Sequence, residues 1–454
     1  MTRTLNFALC ALAALIVAAS TLPGTFSADA VWMLYQAQTS VLDDQHAPLY
    51  TALFGKVTNV YAGPGELVLI NIVSYFLCIF YLVEIIRPRS IALSYLALAL
   101  SVAPLAIYEL HYVQKDCLIR NSLLAAVICT YWWLKKRQLG VLLAGLLFLS
   151  FAIAGRVTGY IAIVPIAMYV SSVMFPRPVL QCISVATAGT LAFFLLLYSS
   201  LNFFNYQIMD AEKNSLDVQF GKWVQCVDIF AMNLGADNFS QLENRKYRYA
   251  IDHYRKVRHQ DYVFSAIEYC EKMTASTGKT KTELWLENIA DYKIEYIQHH
   301  LNTYWRYWNG AEKSPLGHTK AQMFEYSPLL ALVVSKMQLS KDGPSLEYEP
   351  RFPRLRSAYF QYQELILKTF PSTIFLFVFG LICSSVFCYQ YLILKEIPSF
   401  FAFAGFTAMV FSLPMLVFTN IVEPRYMFVT ESLLLLAIPF ALYELPYFKS
   451  DRRI

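Results

Sequence analysis

Charged residues are scarce in this sequence. Asp, Glu, Lys and Arg make up 15% of the 454 residues, and hydrophobic residues make up 57%, a balance well to the apolar side of soluble domains. This scarcity excludes an ordinary soluble domain and indicates a protein with many membrane-spanning helices. The net charge of +5 does not suggest nucleic acid binding, because the placement of Lys and Arg in such a chain reports membrane topology.

Metal and redox motifs are also missing. The nine cysteines form neither a CxxC pair nor a Cys/His spacing typical of metal sites, and most lie in apolar runs. A thiol there acts as a small hydrophobic group. Only Cys226 and Cys270 lie in the long polar segment. They form a disulfide if that segment faces an oxidising compartment, and two free thiols are an equal alternative.

About ten apolar runs are near the roughly 20 residues that cross a bilayer as a helix. They cover residues 5–22, 64–86, 90–108, 117–134, 138–155, 157–175, 179–201, 371–394, 398–420 and 426–447. We expect the first run to be an uncleaved span; a signal peptide cleaved near Ala18-Ala19-Ser20 is the alternative.

Basic residues indicate how these spans are oriented. If the N-terminus is cytoplasmic, the inner connections carry Arg87-Pro88-Arg89, Lys135-Lys136-Arg137, Arg177, Lys395 and the tail from Lys449 to Arg453. This agrees with the positive-inside rule. We therefore expect a multi-pass protein of a bacterial inner membrane with both termini in the cytoplasm.

Residues 202–369 interrupt the apolar pattern. This segment has balanced charges and little Gly or Pro, so we expect a mainly helical periplasmic domain between spans seven and eight. Its aromatic run Tyr304-Trp305-Arg306-Tyr307-Trp308 is typical of a membrane interface. The predicted fold is an all-α polytopic helix bundle whose membrane part comprises residues 1–201 and 370–454.

Polar groups at the ends of the predicted spans gather on the outer side. They occur in the first outer loop (residues 23–63), at the junction of spans three and four, between spans five and six, and between spans nine and ten. Ionisable groups near hydrocarbon are costly unless they pair, line a cavity or do chemistry. Carboxylates and fixed cations on one face suit a site for a phosphorylated lipid donor.

Asp29 follows the turn Pro23-Gly24 after the first span. A carboxylate shielded from bulk water can act as the base that activates an acceptor for displacement at a sugar carbon. The competing interpretation is an N-cap for a short helix that begins at Ala30.

Asp44 and His46 precede Tyr50 at the start of a predicted amphipathic helix that runs along the membrane surface to Tyr61. We expect Asp44, His46 and Tyr50 to bind substrate, with Asp44 and His46 on the acceptor or a pyrophosphate; capping of the helix start is the alternative for the first two. They could also ligate a metal, but no further carboxylate or histidine motif supports one. We therefore expect no cofactor and do not favour a divalent metal.

Lys115, Asp116 and Arg120 begin a middle span. Fixed cations in a poorly hydrated site can neutralise a lipid phosphate as its sugar leaves. Lys115 could instead extend to the headgroups, whereas Arg120 lies deeper, where this is costly.

Arg156 begins another span, and Glu423-Pro424-Arg425-Tyr426 precedes the last one. A guanidinium can bind phosphate through two nitrogens, and Pro424 stiffens the turn. Either arginine could simply meet headgroups, or Glu423 and Arg425 could form a structural pair.

These motifs, in this order, resemble the integral-membrane glycosyltransferases of the GT-C fold, particularly the bacterial protein-mannosyltransferase and aminoarabinose-transferase-like group. The resemblance is carried by Pro23-Gly24 through Asp29, Asp44-Gln45-His46-Ala47-Pro48-Leu49-Tyr50, Lys115-Asp116, Gly155-Arg156 and Glu423-Pro424-Arg425-Tyr426.

The resemblance implies a catalytic role for Asp29 and an active-site lining role for Asp44 and His46. It also implies that Lys115, Arg156 and Arg425 bind the donor phosphate. This chain departs from the group at Ala47, where a proline is common, and in carrying its soluble segment between spans seven and eight instead of at the C-terminus.

We therefore predict transfer of a sugar from a polyprenyl-phosphate donor to a lipid, glycan or protein acceptor. A transporter or flippase of a lipid-linked sugar is the first alternative, favoured by Glu431 inside the last span. Against it, polar groups lie at span ends and no internal repeat is evident. A polysaccharide polymerase or ligase is a third possibility.

Overall fold

The computed structural model of this chain is nearly all helical. It describes residues 2–25, 28–43, 47–58, 65–88, 90–113, 115–155, 157–174, 179–212, 224–248, 250–252, 261–309, 352–369, 373–418 and 424–444. Helices make up 87% of it, with no strand in these ranges. The prediction of an all-α fold is confirmed for them.

Six helices in the described ranges are long and apolar enough to cross a membrane. They are Arg3–Thr21, Gly65–Ile86, Lys115–Lys136, Ser184–Ile208, Ile374–Leu394 and Met427–Glu444. Shorter apolar helices lie at Ile91–Ser101, Leu139–Gly155, Gly159–Ser172 and Phe400–Leu416. Together they coincide with the predicted apolar runs, and the membrane character of the chain follows from them. A total of ten spans stays a prediction.

The helices of the first half are α1 Arg3–Thr21, α2 Ala28–Thr39, α3 Pro48–Thr58, α4 Gly65–Ile86, α5 Ile91–Ser101, α6 Pro104–Ile107, α7 Lys115–Lys136, α8 Leu139–Gly155, α9 Ile163–Met174 and α10 Val179–Phe203. A 3-10 turn, Val157–Ala162, precedes α9, and a π turn, Phe204–Ile208, extends α10.

The later helices are α11 Gln225–Gly235, α12 Gln241–Lys246, α13 Asp261–Thr277, α14 Lys281–Asp291, α15 Lys293–Asn309, α16 Pro353–Thr369, α17 Ile374–Cys388, α18 Phe400–Phe418 and α19 Pro424–Glu444. A second π turn, Tyr389–Leu394, extends α17.

The prediction of one continuous span over residues 90–108 was wrong. The run is divided into α5 and α6, with Ala103 in an extended conformation and Pro104 at the start of α6. A proline disfavours helical geometry in the residue before it, so the chain leaves α5 and restarts.

Buried side chains form two separate cores in the described ranges. The larger runs through the apolar helices, and the smaller is built from α11 to α14, around Phe230 and Tyr269. Trp308 and Phe360 belong to the larger core. Hence the end of α15 and one face of α16, which we predicted as part of the domain at residues 202–369, pack against the apolar bundle.

Cys226 and Cys270 form a disulfide bond that links α11 to α13, with their Cα atoms 5.2 Å apart. Both cysteines are fully buried in the smaller core. Of the two alternatives left by the sequence, the bonded pair is therefore the one found.

Candidate functional site

The turn after α1 is paired with the segment that precedes α7. The backbone amide of Thr25 donates to the carbonyl oxygen of His111 at 2.8 Å, and the amide of Val113 donates to the carbonyl oxygen of Thr25 at 3.0 Å. These bonds place the chain four residues before Asp29 beside the chain two residues before Lys115.

Gly24 is required at this turn. Its φ of +112° lies in a region that side-chain-bearing residues rarely adopt. A Cβ atom there would lie 2.7 Å from side-chain carbons of both Val113 and Val68. The close approach of the two segments therefore depends on a residue without a side chain.

Arg356 of α16 joins the same turn from a distant part of the sequence. Its Nη1 donates to the carbonyl oxygen of Thr21 at 2.7 Å, and its Nη2 donates to Oγ1 of Thr25 at 2.8 Å and to the carbonyl oxygen of Gly24 at 3.4 Å. Thr21 is the last residue of α1. A cation suits this place, because helix C-termini carry partial negative charge.

The side chains around Arg356 extend this contact to α6 and the segment after it. The guanidinium lies 5.1 Å from the ring centre of Phe360, whose ring meets that of His111 edge-on at 4.9 Å. Tyr359 donates from its hydroxyl to the carbonyl oxygen of Ile107 at 3.2 Å. Burial lowers the pKa of Arg356 to about 10, which still leaves it charged at neutral pH.

Asp29 is the second residue of α2 and is partly buried. The helix begins at Ala28, so the capping interpretation, which required a helix starting at Ala30, was wrong. A carboxylate in the first turn is still stabilised by the helix dipole. The role of Asp29 as a base stays a prediction.

Tyr50 holds α3 against the bundle. Its hydroxyl donates to the carbonyl oxygen of Phe151 at 2.9 Å, and the residue is buried. A Cβ placed on Gly155 would lie 3.0 Å from Cε2 of Tyr50. The structure thus places Tyr50 beside Gly155, in a structural contact. Its predicted role in binding substrate stays a prediction.

Lys115, Asp116 and Arg120 lie on the first turns of α7 with different exposure. Lys115 is partly buried, Asp116 is buried and Arg120 is completely buried. The cations therefore do not present one shared exposed face. Of the two cations, only Lys115 is not fully buried, and its predicted contact with the donor phosphate stays a prediction.

The guanidinium of Arg120 is enclosed by protein groups. It donates to the carbonyl oxygen of Ala106 at 2.6 Å and to Oδ1 of Asn121 at 2.9 and 2.7 Å. Its carbon lies 4.1 Å from the ring centre of Tyr75 and 4.4 Å from that of Phe428. These contacts tie α7 to α4, α6 and α19. They favour a structural role over the predicted contact with the donor.

Several predicted site residues lie outside the described residues: Asp44, His46, Arg156 and Glu423. Arg425 and Tyr426 begin α19, but their side chains are not among those described. Nearby, Phe428 meets the ring of Tyr108 at 5.1 Å. The first turns of α19 therefore lie beside the segment that precedes α7.

No group of three or more His, Cys, Asp or Glu side chains is arranged to hold a metal ion in the part of the chain that the structure describes. Asp44 and His46, the pair that could have ligated a metal, lie outside that part.

Sequence reasoning missed two features. The first is Arg356, which lies in the predicted soluble segment. Its spacing from Tyr359, Phe360 and Gln363 puts all four on one face of a helix, and all four are buried. The second is a buried cluster in the smaller core.

In that cluster, Asp228 lies with Oδ1 3.6 Å from Nε2 of His299 and 3.3 Å from Nε2 of His300. Trp285 donates from its indole nitrogen to Oδ2 of Asp228 at 2.9 Å. The adjacent His299-His300 pair on an amphipathic segment was the available signal.

No known protein family, curated protein or solved structure matches this chain.

Proposed function

We propose that this chain is an integral-membrane glycosyltransferase. It transfers a sugar from a polyprenyl-phosphate donor to a lipid, glycan or protein acceptor on the periplasmic face of a bacterial inner membrane. The observation that carries the proposal is the pairing of Thr25 with His111 and Val113. It brings the chain four residues before Asp29 beside the chain two residues before Lys115, the first residue of α7.

In the proposed reaction, Asp29 accepts the proton of the acceptor group as that group attacks the anomeric carbon. A bond forms between acceptor and sugar, and the bond from the anomeric carbon to the phosphate oxygen breaks. The electron pair leaves with the polyprenyl phosphate. Lys115 stabilises the developing charge, with Arg156 and Arg425 as further proposed phosphate ligands and with Asp44 and His46 lining the site.

Two observations support the periplasmic placement. The Cys226–Cys270 disulfide is typical of an oxidising compartment. In addition, α7 ends with Lys135 and Lys136, which are typical of the cytoplasmic end of a span. A cytoplasmic position for that end of α7 supports a periplasmic position for Lys115, at the opposite end of the same helix.

A transporter of a lipid-linked sugar is the second candidate. Glu431 is fully buried within the candidate span Met427–Glu444 and accepts a hydrogen bond from Thr373 at 2.9 Å. Buried carboxylates in spans often mark transport pathways. One buried carboxylate that contacts a neighbouring helix end also fits a structural role.

The test uses the purified chain with a panel of polyprenyl-phosphate sugars and a membrane-lipid acceptor extract. The proposal expects free polyprenyl phosphate to be released together with a glycosylated acceptor. Movement of the lipid-linked sugar across vesicle membranes, with its phosphate bond intact, would instead support the transporter. If no donor gives either result, both candidate functions are contradicted.

A further inference from the structure

Helix α16 has three faces of different character. The first is buried and consists of Arg356, Tyr359, Phe360 and Gln363. At helical spacing, the other positions divide into a polar flank and an apolar flank.

The polar flank carries Arg354, Ser357, Gln361 and Glu364, of which the first three are exposed and Glu364 is partly buried. The apolar flank carries Leu355, Ala358, Tyr362 and Leu365, all of which are exposed. Leu365 is 64% exposed and Tyr362 43%. A continuous exposed apolar row of this kind is typical of a surface that contacts protein or membrane.

The buried face fixes where α16 lies. Arg356 binds the last carbonyl group of α1, a candidate membrane span, and Tyr359 binds the last residue of α6. The helix is therefore held against the end of the apolar bundle, at the side on which α1 ends.

The chain also leaves α16 directly for another candidate span. Thr369 ends α16 and Ile374 begins α17, a separation that an extended chain can stretch to about 17 Å at most. At its start, α17 exposes Phe375 and Val378, 50% and 48% respectively. The connection thus limits how far the C-terminal end of α16 can lie from the exposed apolar side chains of a candidate span.

We propose that the apolar flank of α16 lies in the membrane interface and contacts the acyl chains of the adjacent leaflet. The geometry is that of an amphipathic helix with one flank in lipid and the other in water. Unlike a free interfacial helix, α16 is also bound to protein along a third face. Lipid contact on one side and Arg356 on another hold the turn that precedes Asp29. The proposal does not depend on the glycosyltransferase function.

Photo-crosslinking tests this directly. The purified chain carries p-benzoylphenylalanine in place of Leu365 and is reconstituted in vesicles of phosphatidylethanolamine and phosphatidylglycerol with radiolabelled phosphatidylethanolamine. The matched control carries the same probe in place of Gln361, on the polar flank of the same helix. We expect illumination to attach several-fold more lipid to the probe at 365 than at 361.

Equal lipid attachment at the two positions would overturn the proposal. So would a crosslink from position 365 to residues 310–350 of the same chain or to a second copy, because the flank would then be covered by protein. A third probe in place of Leu355 tests the same flank if the variant at 365 fails to fold, and the same preference over 361 is expected.

Discussion

Arg356 and Thr21 are joined by a 2.7 Å hydrogen bond from Nη1 to the carbonyl oxygen at the end of the first helix. The two residues are 335 positions apart in the chain. The bond closes one end of the helix bundle around the turn that leads to Asp29. The position of the first outer loop, which carries Asp29, therefore depends on α16.

Replacing Arg356 with Ala should destabilise the chain and reduce sugar transfer. The substitution removes the guanidinium donors from the buried hydroxyl of Thr25 and from the carbonyl group of Thr21, which keeps only its bond from the backbone amide of Gly24. Each hydrogen bond to a charged group contributes about 1.5 to 3 kcal/mol. Thermal unfolding in detergent should show a lower midpoint for Arg356→Ala.

The variant Arg356→Lys separates the effect of the charge from that of the guanidinium geometry. It keeps the charge but cannot bind Thr21 and Thr25 together as a guanidinium does. We expect partial recovery of stability with a lower kcat for transfer. If both variants match the parent in stability and in transfer, the proposed role of Arg356 in holding the turn before Asp29 is contradicted.

Gly24→Ala should be far more damaging than an ordinary Gly→Ala change. Alanine at this position would have to adopt a φ of +112°, and its Cβ atom would lie 2.7 Å from side-chain carbons of Val113 and Val68. Gly140→Ala is the control, because a Cβ there meets nothing within 4 Å. The yield of monodisperse protein should fall for the first variant and remain unchanged for the second. Equal yields would show that the turn tolerates a side chain.

The smaller core should lose stability on acidification through His299. Burial, with His300 and Arg306 nearby, lowers the pKa of His299 from 6.5 to about 3. Between these two pKa values, His299 is protonated in the unfolded chain and neutral in the folded protein. The His299 contribution is fully present above pH about 6.5 and is lost as the pH falls toward 3.

Thermal unfolding of the parent and of His299→Gln measures this effect. The parent should lose more stability than the variant between about pH 7 and about pH 4.5. Burial raises the pKa of Asp228, so that group acts in the opposite sense, and Asp228→Asn separates the two. A parent and His299→Gln variant with parallel pH profiles would contradict the assignment.

The disulfide should be visible by thiol counting. Reduction of the denatured parent should add two thiols that react with a maleimide polymer, because Cys226 and Cys270 are bonded. In Cys226→Ser/Cys270→Ser reduction should add none, and removal of a bridge across 44 residues should cost about 4 kcal/mol. The control Cys129→Ser, a free cysteine, should keep the increase of two. No increase in the parent would exclude the bond.

The apolar helices were predictable because a bilayer-length apolar run has few other stable conformations. Pro104 was a visible break in such a run, and its effect was overlooked. The convergence of charged side chains from the first loop and α7 stays a prediction; what the structure shows is the pairing of the two backbone segments that lead to them. The bonds that produce it belong to the backbone of Thr25, His111 and Val113.

Long-range side-chain contacts were beyond the sequence. Nothing in the local pattern says that Arg356 faces the end of α1, because its acceptors are backbone carbonyl groups that every residue carries. Arg120 illustrates the converse. Its depth in a span suggested a functional cation, whereas the rings of Tyr75 and Phe428 that enclose it come from helices distant in the chain.

The most direct measurement is the release of polyprenyl phosphate by Asp29→Asn, compared with the parent and with Asp237→Asn. Asp237 is an exposed aspartate in a turn with a φ of +58°, which asparagine also tolerates. The account predicts that Asp29→Asn folds normally and loses at least about 100-fold in rate, while Asp237→Asn matches the parent. Parental activity in a folded Asp29→Asn variant would contradict the central claim.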